Sequence, residues 1–312
     1  MFILSRSIGV AVSAAVLALV GVPAQAETLH VQGIYPADSD GAAALNSIAV
    51  DTFGGVDGPT ASMAIADALR AVRIEGEHYF SVLPEGGGRN ADAVLNGSAE
   101  AVVQRRSYKE SRKKCLVKDS DGKCTKKGTI KERCRRRTVE LGASIRLVSD
   151  RGRLLYASED PVSATDNHCL DYKTDPEPVS RIVQSLSVRL ADRVRHALAP
   201  AERAEDIRVL ERRKELPKAL QSRFKAAVRA TKHDPAVACR EWEEIDRVSP
   251  GNLSVVFNLG LCAESQGQIG EAERFYQEAL RISPGASYPD AGLKRVEERT
   301  RADHQLAAHH GA

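Results

Sequence analysis

Between Val139 and Leu147 the chain alternates: Val139, Leu141, Ala143, Ile145 and Leu147 are apolar, and Glu140, Gly142, Ser144 and Arg146 stand between them. A two-residue period buries one face of a strand and leaves the other in solvent. Arg151-Gly152 follows and can act as a two-residue hairpin turn, with Gly152 supplying the positive φ. Such a turn pairs 150 with 153, so cross-strand partners sum to 303, and Cys134 and Cys169 also sum to 303. Pro161 lies inside the returning strand and argues against an undisturbed ladder along its whole length. Parity alone still places both cysteines on the face opposite Leu147.

Residues 105–137 put fifteen Lys or Arg, four acidic residues and three cysteines into thirty-three positions. The run carries +11 of a chain whose formal net charge is +3. Read as a hairpin, it offers Arg112, Lys113, Lys114, Lys126, Lys127, Arg135, Arg136 and Arg137 to an anion. The bland alternative is a solvated hairpin whose lysines keep an exposed edge from aggregating. The six cysteines (Cys115, Cys124, Cys134, Cys169, Cys239 and Cys262) are not spaced as zinc pairs, so disulfides are expected. Cys115 and Cys124 flank the turn signal Asp121-Gly122 and could staple a hairpin tip. Of three pairings among the first four, Cys115–Cys124 with Cys134–Cys169 is favoured. Cys239 and Cys262 fall on successive helices that should pack together.

The first twenty-six residues have one basic residue (Arg6), an uncharged stretch from Ile8 to Val22, and Ala24-Gln25-Ala26. These are the marks of a cleaved signal peptide without a lipid-acceptor cysteine, and they predict a periplasmic or secreted protein with no transmembrane segment after cleavage. A retained anchor is the alternative, but the apolar run is short for a bilayer. Export makes nucleic acid an unexpected partner for the basic run.

Behind that leader the sequence predicts a linker over 27–46 and an α+β domain over 47–200, a mostly antiparallel sheet with helices on one face. SIAVDTF, HYFSVLP and ADAVLNGSAEAVV read as strands, the last with a bulge at Gly97. A helical linker over 201–216, an all-helical module over 217–300 and a disordered tail over 301–312 complete the division. In the module SPGN at 249–252 and SPGA at 283–286 recur after 34 residues. The segment NLSVVFNLGLCAESQGQIGEAERFYQEALRISP then resembles a tetratricopeptide repeat, with Leu259, Gly260, Ala272, Tyr276, Ala279 and Pro284 at the family's packing positions and Trp242 in the preceding copy. That resemblance implies a protein partner held in a groove, for which Asn258, Leu261 and Glu264 are the candidates.

SIAVDTF, ASMAIADALRAV, YFSVLPE and ADAVLNGSAEAVV, followed by a long hairpin, also resemble the periplasmic domain of CsgG-like secretion lipoproteins and the N-terminal domain of TolB. The resemblance implies an envelope domain that docks to partners. It does not extend to the channel, because KCLVKDSDGKCTKKGT is too charged for a membrane-spanning hairpin.

No catalytic signature stands out. EGGGRN lacks the Lys-Ser/Thr of a phosphate loop, DSDG lacks the later ligands of a calcium loop, and His304, His309 and His310 lie in the assigned tail. The expectation is therefore a non-enzymatic envelope adaptor without cofactor or catalytic metal, its basic hairpin facing an acidic partner, a lipid head group or lipopolysaccharide. The rival is an oligomeric envelope or secretion-accessory component that self-associates through the CsgG-like domain.

Overall fold

The computed structural model of the chain describes residues 27–169 and 176–311, so the leader expected over 1–26 lies outside the described residues. The first half comprises β1 (Thr28–Tyr35), α1 (Asp40–Ala43), β2 (Ser47–Val50), α2 (Gly58–Arg70), β3 (Arg73–Ile74), β4 (Glu77–His78), β5 (Ser81–Leu83), β6 (Ala93–Lys118) and β7 (Cys124–Ser149). The second comprises β8 (Leu154–Ser158), β9 (Val162–Cys169), α3 (Val179–Leu198), β10 (Ala201–Arg208), α4 (Lys218–Ala230), α5 (Pro235–Val248), α6 (Leu253–Ser265), α7 (Ile269–Ile282) and α8 (Ser287–His310).

The main sheet runs β5-β2-β6-β7-β8, with β9 also paired to β7. It is mostly antiparallel, as expected, through β6–β7, β7–β8 and β7–β9, but β2 pairs in parallel with both β5 and β6. Two crossings around α2 and the 84–92 segment return the chain in the same direction, which a run of hairpins cannot do. Helices α2 and α3 cover one face. Ile65 and Leu69 of α2 and Leu186, Leu190 and Val194 of α3 share a core with Leu95, Leu141, Ile145 and Leu147.

The register sum of 303 appears on both sides of Pro161. Leu147 faces Tyr156 on β8, and Leu141 through Cys134 face Val162 through Cys169 on β9. Proline ends one strand and precedes the next, but the ladder resumes in step. The turn itself is one residue longer than a two-residue loop: Ser149 N–H donates to Arg153 O, and Gly152 sits at φ 76°. A bulge between Leu147 and Val148 absorbs the extra residue and restores the sum. Gly97 makes no bulge, since β6 and β7 pair without a shift from Ala93 to Cys115. A Cβ at Gly97 would instead collide with Ser144 O and crowd the Phe53 ring, so glycine there permits close approach.

Neither linker is a linker. Residues 28–35 and 201–208 pair as an antiparallel ribbon, Thr28 with Arg208 through Tyr35 with Ala201. Leu29 and Val31 of that ribbon are buried against α6 and α8 in a second core, which also holds Phe224, Trp242, Phe257 and Tyr276. The alternation Leu29, Val31, Tyr35 is the strand signal that the linker assignment passed over.

The tail over 301–312 is likewise helical as far as His310, the end of α8. Gln305 accepts from Ala37 N–H and donates to Ala37 O, and Arg301 reaches Asp40. His309 stacks on Tyr79 at 4.1 Å, and the Tyr79 hydroxyl donates to Ala43 O. Burial holds the His309 imidazole below its ordinary value of 6.5, with His310 adding to the effect and backbone contacts at Leu45 and Ala43 opposing it. The docked state therefore prefers the neutral ring. Undocking takes up a proton, and the contact weakens as pH falls through and below 6.5. Hydrogen exchange in the last two turns of α8 should accelerate between pH 7 and pH 5 relative to the rest of the helix, after correction for intrinsic rates. His309→Phe should abolish that pH dependence.

Candidate functional site

Among the described residues the third strand pairs as far as Cys134–Cys169, and β6 and β7 continue from there as a two-stranded ribbon ending at 119–123. About ten residues per strand project, roughly 33 Å at about 3.3 Å per residue. Two cystines frame the projection. Cys134–Cys169 (Cα–Cα 3.9 Å) closes its root, and Cys115–Cys124 (Cα–Cα 5.6 Å) closes its tip. The third cystine, Cys239–Cys262, ties α5 to α6.

The ribbon pairs in one register, and the two faces differ. The odd-numbered face carries Arg105 opposite Arg137, Ser107 opposite Arg135, Lys109 opposite Arg133, Ser111 opposite Lys131 and Lys113 opposite Thr129. Seven cations and three hydroxyls lie there with no carboxylate contributed by either strand, and all but the half-buried Arg137 are exposed. The like-charged pairs Arg105–Arg137 and Lys109–Arg133 stand directly across from each other, an arrangement that costs stability unless an anion lies over it. On β9 the same face adds His168, opposite Arg135, and Asp166, opposite Arg137. Asp166 engages the Arg137 guanidinium, which also donates to Glu177 O at 2.6 Å. At the root a cavity of about 690 Å³ is lined by Ser107, Tyr108, Lys109, Arg133, Cys134, Arg135, His168 and Pro176.

The even-numbered face is packed and charge-mixed. Arg136 lies over the Tyr108 ring at 5.5 Å and donates to Asn167. Glu110 stands opposite Glu132, and Arg112 approaches buried Glu132 at 3.6 Å. Glu110, Cys134 and Cys169 bring three ligand-type atoms within 4.8 Å of one another, but the sulfurs are bonded to each other, so no thiolate is left for a metal.

The candidate cations therefore divide. Lys113, Lys127, Arg135 and Arg137 belong to the odd face, whereas Arg112, Lys114, Lys126 and Arg136 do not. Consecutive arginines 135–137 cannot share a face, because neighbouring strand residues point to opposite sides. Arg105, Lys109, Lys131 and Arg133 were missed, although counting every second residue would have found them.

The groove candidates are not on a groove. Asn258, Leu261 and Glu264 are all fully buried. The side chain of Asn258 accepts from Leu210 N–H at 2.8 Å and donates to Leu210 O at 2.9 Å. Glu264 accepts from the Tyr276 hydroxyl and takes a two-pronged pair from Arg295 at 2.9 and 2.7 Å. The β1 strand of the ribbon, Leu210 after it and α8 pack against α6, the helix that carries the three residues for which a partner was expected. The packing positions do pack. Trp242, Leu259, Ala272, Tyr276 and Ala279 are buried, and the Tyr276 ring lies where a Cβ on Gly260 of α6 or Gly292 of α8 would stand. Pro284 is exposed in the α7–α8 turn.

Comparison with known proteins matches residues 254–286 to the family described as tetratricopeptide repeat. That segment holds α6 and α7, and such a repeat suggests protein–protein interaction. No curated protein matches the chain. A PelC dodecamer from Paraburkholderia phytofirmans is similar at 18% identity over 55% of this chain and 98% of that one, with a TM-score of 0.22. A superposition at that level does not establish a shared fold, and the likeness to CsgG and TolB stays a resemblance of sequence. Among the described residues no helix is long and apolar enough to cross a membrane. Three cystines are compatible with a periplasmic or extracellular setting.

Proposed function

We propose that this chain is an exported, non-enzymatic docking protein whose binding element is the basic ribbon. The carboxylate-free odd face of β6 and β7 supports the reading: cations at every second or fourth residue on two adjacent strands, interleaved with Ser107, Ser111 and Thr129. Two rows of charge about 5 Å apart suit a surface or polymer bearing closely spaced anions better than a single small ligand. The cystines at root and tip reduce the entropy that binding must remove. In this account the helical repeats hold the body on which the ribbon is mounted, because the face of α6 where a partner was expected is already occupied by the chain itself. Protein partners of the repeats would have to use the outer helices.

Heparin, a soluble polyanion, supplies the test. Its affinity for the full chain should fall linearly with log salt, with a slope steeper than about −3, since several cations release counterions together. Each single change among Lys109→Gln, Lys131→Gln and Arg133→Gln should reduce that slope by about one. A salt-insensitive affinity, or no binding at low salt, overturns the proposal.

A further inference from the structure

The end of the ribbon has a chemistry its flank lacks. Beyond Cys115 a bulge shifts the register, so that Cys115 faces Lys127 and Val117 faces Lys126, leaving Leu116 without a cross-strand partner. Leu116 is 51% and Val117 49% exposed, two large apolar side chains at the tip of the longest projection in the sheet. Lys113, Lys118, Lys123, Lys126 and Lys127 lie at the same end of the ribbon, all exposed, with Lys126 directly across from Val117 and Asp119 and Asp121 in the turn. The cystine Cys115–Cys124 closes the loop that contains both apolar residues, so their display does not depend on the flexible conformation of an open turn. The turn is further fixed by Asp119, whose carboxylate accepts from Asp121 N–H and Lys123 N–H. That arrangement turns Asp119 toward the loop's own backbone.

This apolar pair belongs to neither core, and although the Leu116 side chain lies over Gly128 of the facing strand, both residues remain about half exposed. From this we infer that the tip rests on an anionic lipid bilayer, with Leu116 and Val117 entering the head-group layer and the lysines meeting lipid phosphates. Charge and apolar surface are then satisfied together, which a hydrophilic polyanion does not achieve. The tip lies on the membrane and does not span it, because its charge density forbids a membrane-crossing strand. The odd face remains the wider anion surface. This inference rests on the docking reading above and names the partner for its far end.

Sedimentation of the full chain with vesicles separates the two claims. Phosphatidylcholine vesicles containing phosphatidylglycerol should carry the protein down, and phosphatidylcholine alone should not. The double variant Leu116→Ser, Val117→Ser should partition at least about tenfold more weakly onto the anionic vesicles, as expected for losing the transfer of two half-exposed apolar side chains. Its affinity for heparin should be unchanged, which also shows that the ribbon is still folded. Wild-type protein that binds heparin but not anionic vesicles would overturn the membrane inference and leave the docking reading standing. Equal vesicle binding by the double variant would overturn the insertion of the tip. Failure to bind either probe would remove both.

Discussion

Arg295→Met should destabilise the helical module by about 3–5 kcal/mol, the largest effect expected of any single change among the contacts described. The Glu264 side chain is fully buried and that of Arg295 is 13% exposed, so removing the cation leaves a carboxylate with no route to water. Burial works against the charge on Arg295, but the hydrogen bond and the charge of Glu264 outweigh it and raise its pKa overall. Burial first, and then Glu264, push the Tyr276 hydroxyl up, so tyrosine stays a donor and cannot replace the lost cation. The triple change Glu264→Leu, Tyr276→Phe, Arg295→Met should recover most of the loss, because replacing a buried ion pair with packed apolar groups is often neutral. Chemical denaturation with tryptophan fluorescence reads the result directly, since Trp242 is the single tryptophan and sits in this core. A loss under about 1 kcal/mol for Arg295→Met would mean that Glu264 reaches solvent or another cation.

The same cluster shows where sequence reading stops. Gly260, Ala272, Tyr276 and Ala279 were legible because a 34-residue repeat fixes which positions meet. Glu264 was legible as a helix position but not as buried. Its environment is made by Arg295 thirty-one residues later, and by a ribbon whose paired residues lie between 166 (Tyr35 with Ala201) and 180 (Thr28 with Arg208) positions apart in the chain. Pairing across such a separation leaves no local pattern beyond the alternation Leu29, Val31, Tyr35, and β10 (AERAEDIR) hides its half behind charges. The main hairpin was legible for the opposite reason. One turn fixes a parity, and parity carries through to Cys134 and Cys169 despite Pro161. The parallel pairing of β2 was not legible, since SIAV and SVL are too short to state a direction.

For the docking surface, composition pointed to the ribbon and periodicity would have pointed to its face. Fifteen cations in a run look alike until they are sorted by odd and even position. Only then do Glu110 and Glu132 fall together on one side, so that β6 and β7 contribute no acid to the other, where Asp166 of β9 meets Arg137. Sorting also separates Arg136, which lies over Tyr108, from its neighbours Arg135 and Arg137.

Two directly opposed pairs make the decisive comparison, because each variant changes formal charge by the same amount. Lys109→Glu with Arg133→Glu reverses an odd-face pair, and Arg106→Glu with Arg136→Glu reverses an even-face pair. Each cation contributes about 1 kcal/mol near an anionic surface, and reversal roughly doubles the change. At physiological ionic strength the Debye length is about 8 Å, so charges on the far side of the ribbon are largely screened. Equilibrium binding of both variants to heparin at that ionic strength should show a loss of about 100-fold or more for the odd pair and about threefold or less for the even pair. Equal losses would contradict a one-sided docking face and reduce the ribbon to a solvated, evenly charged hairpin.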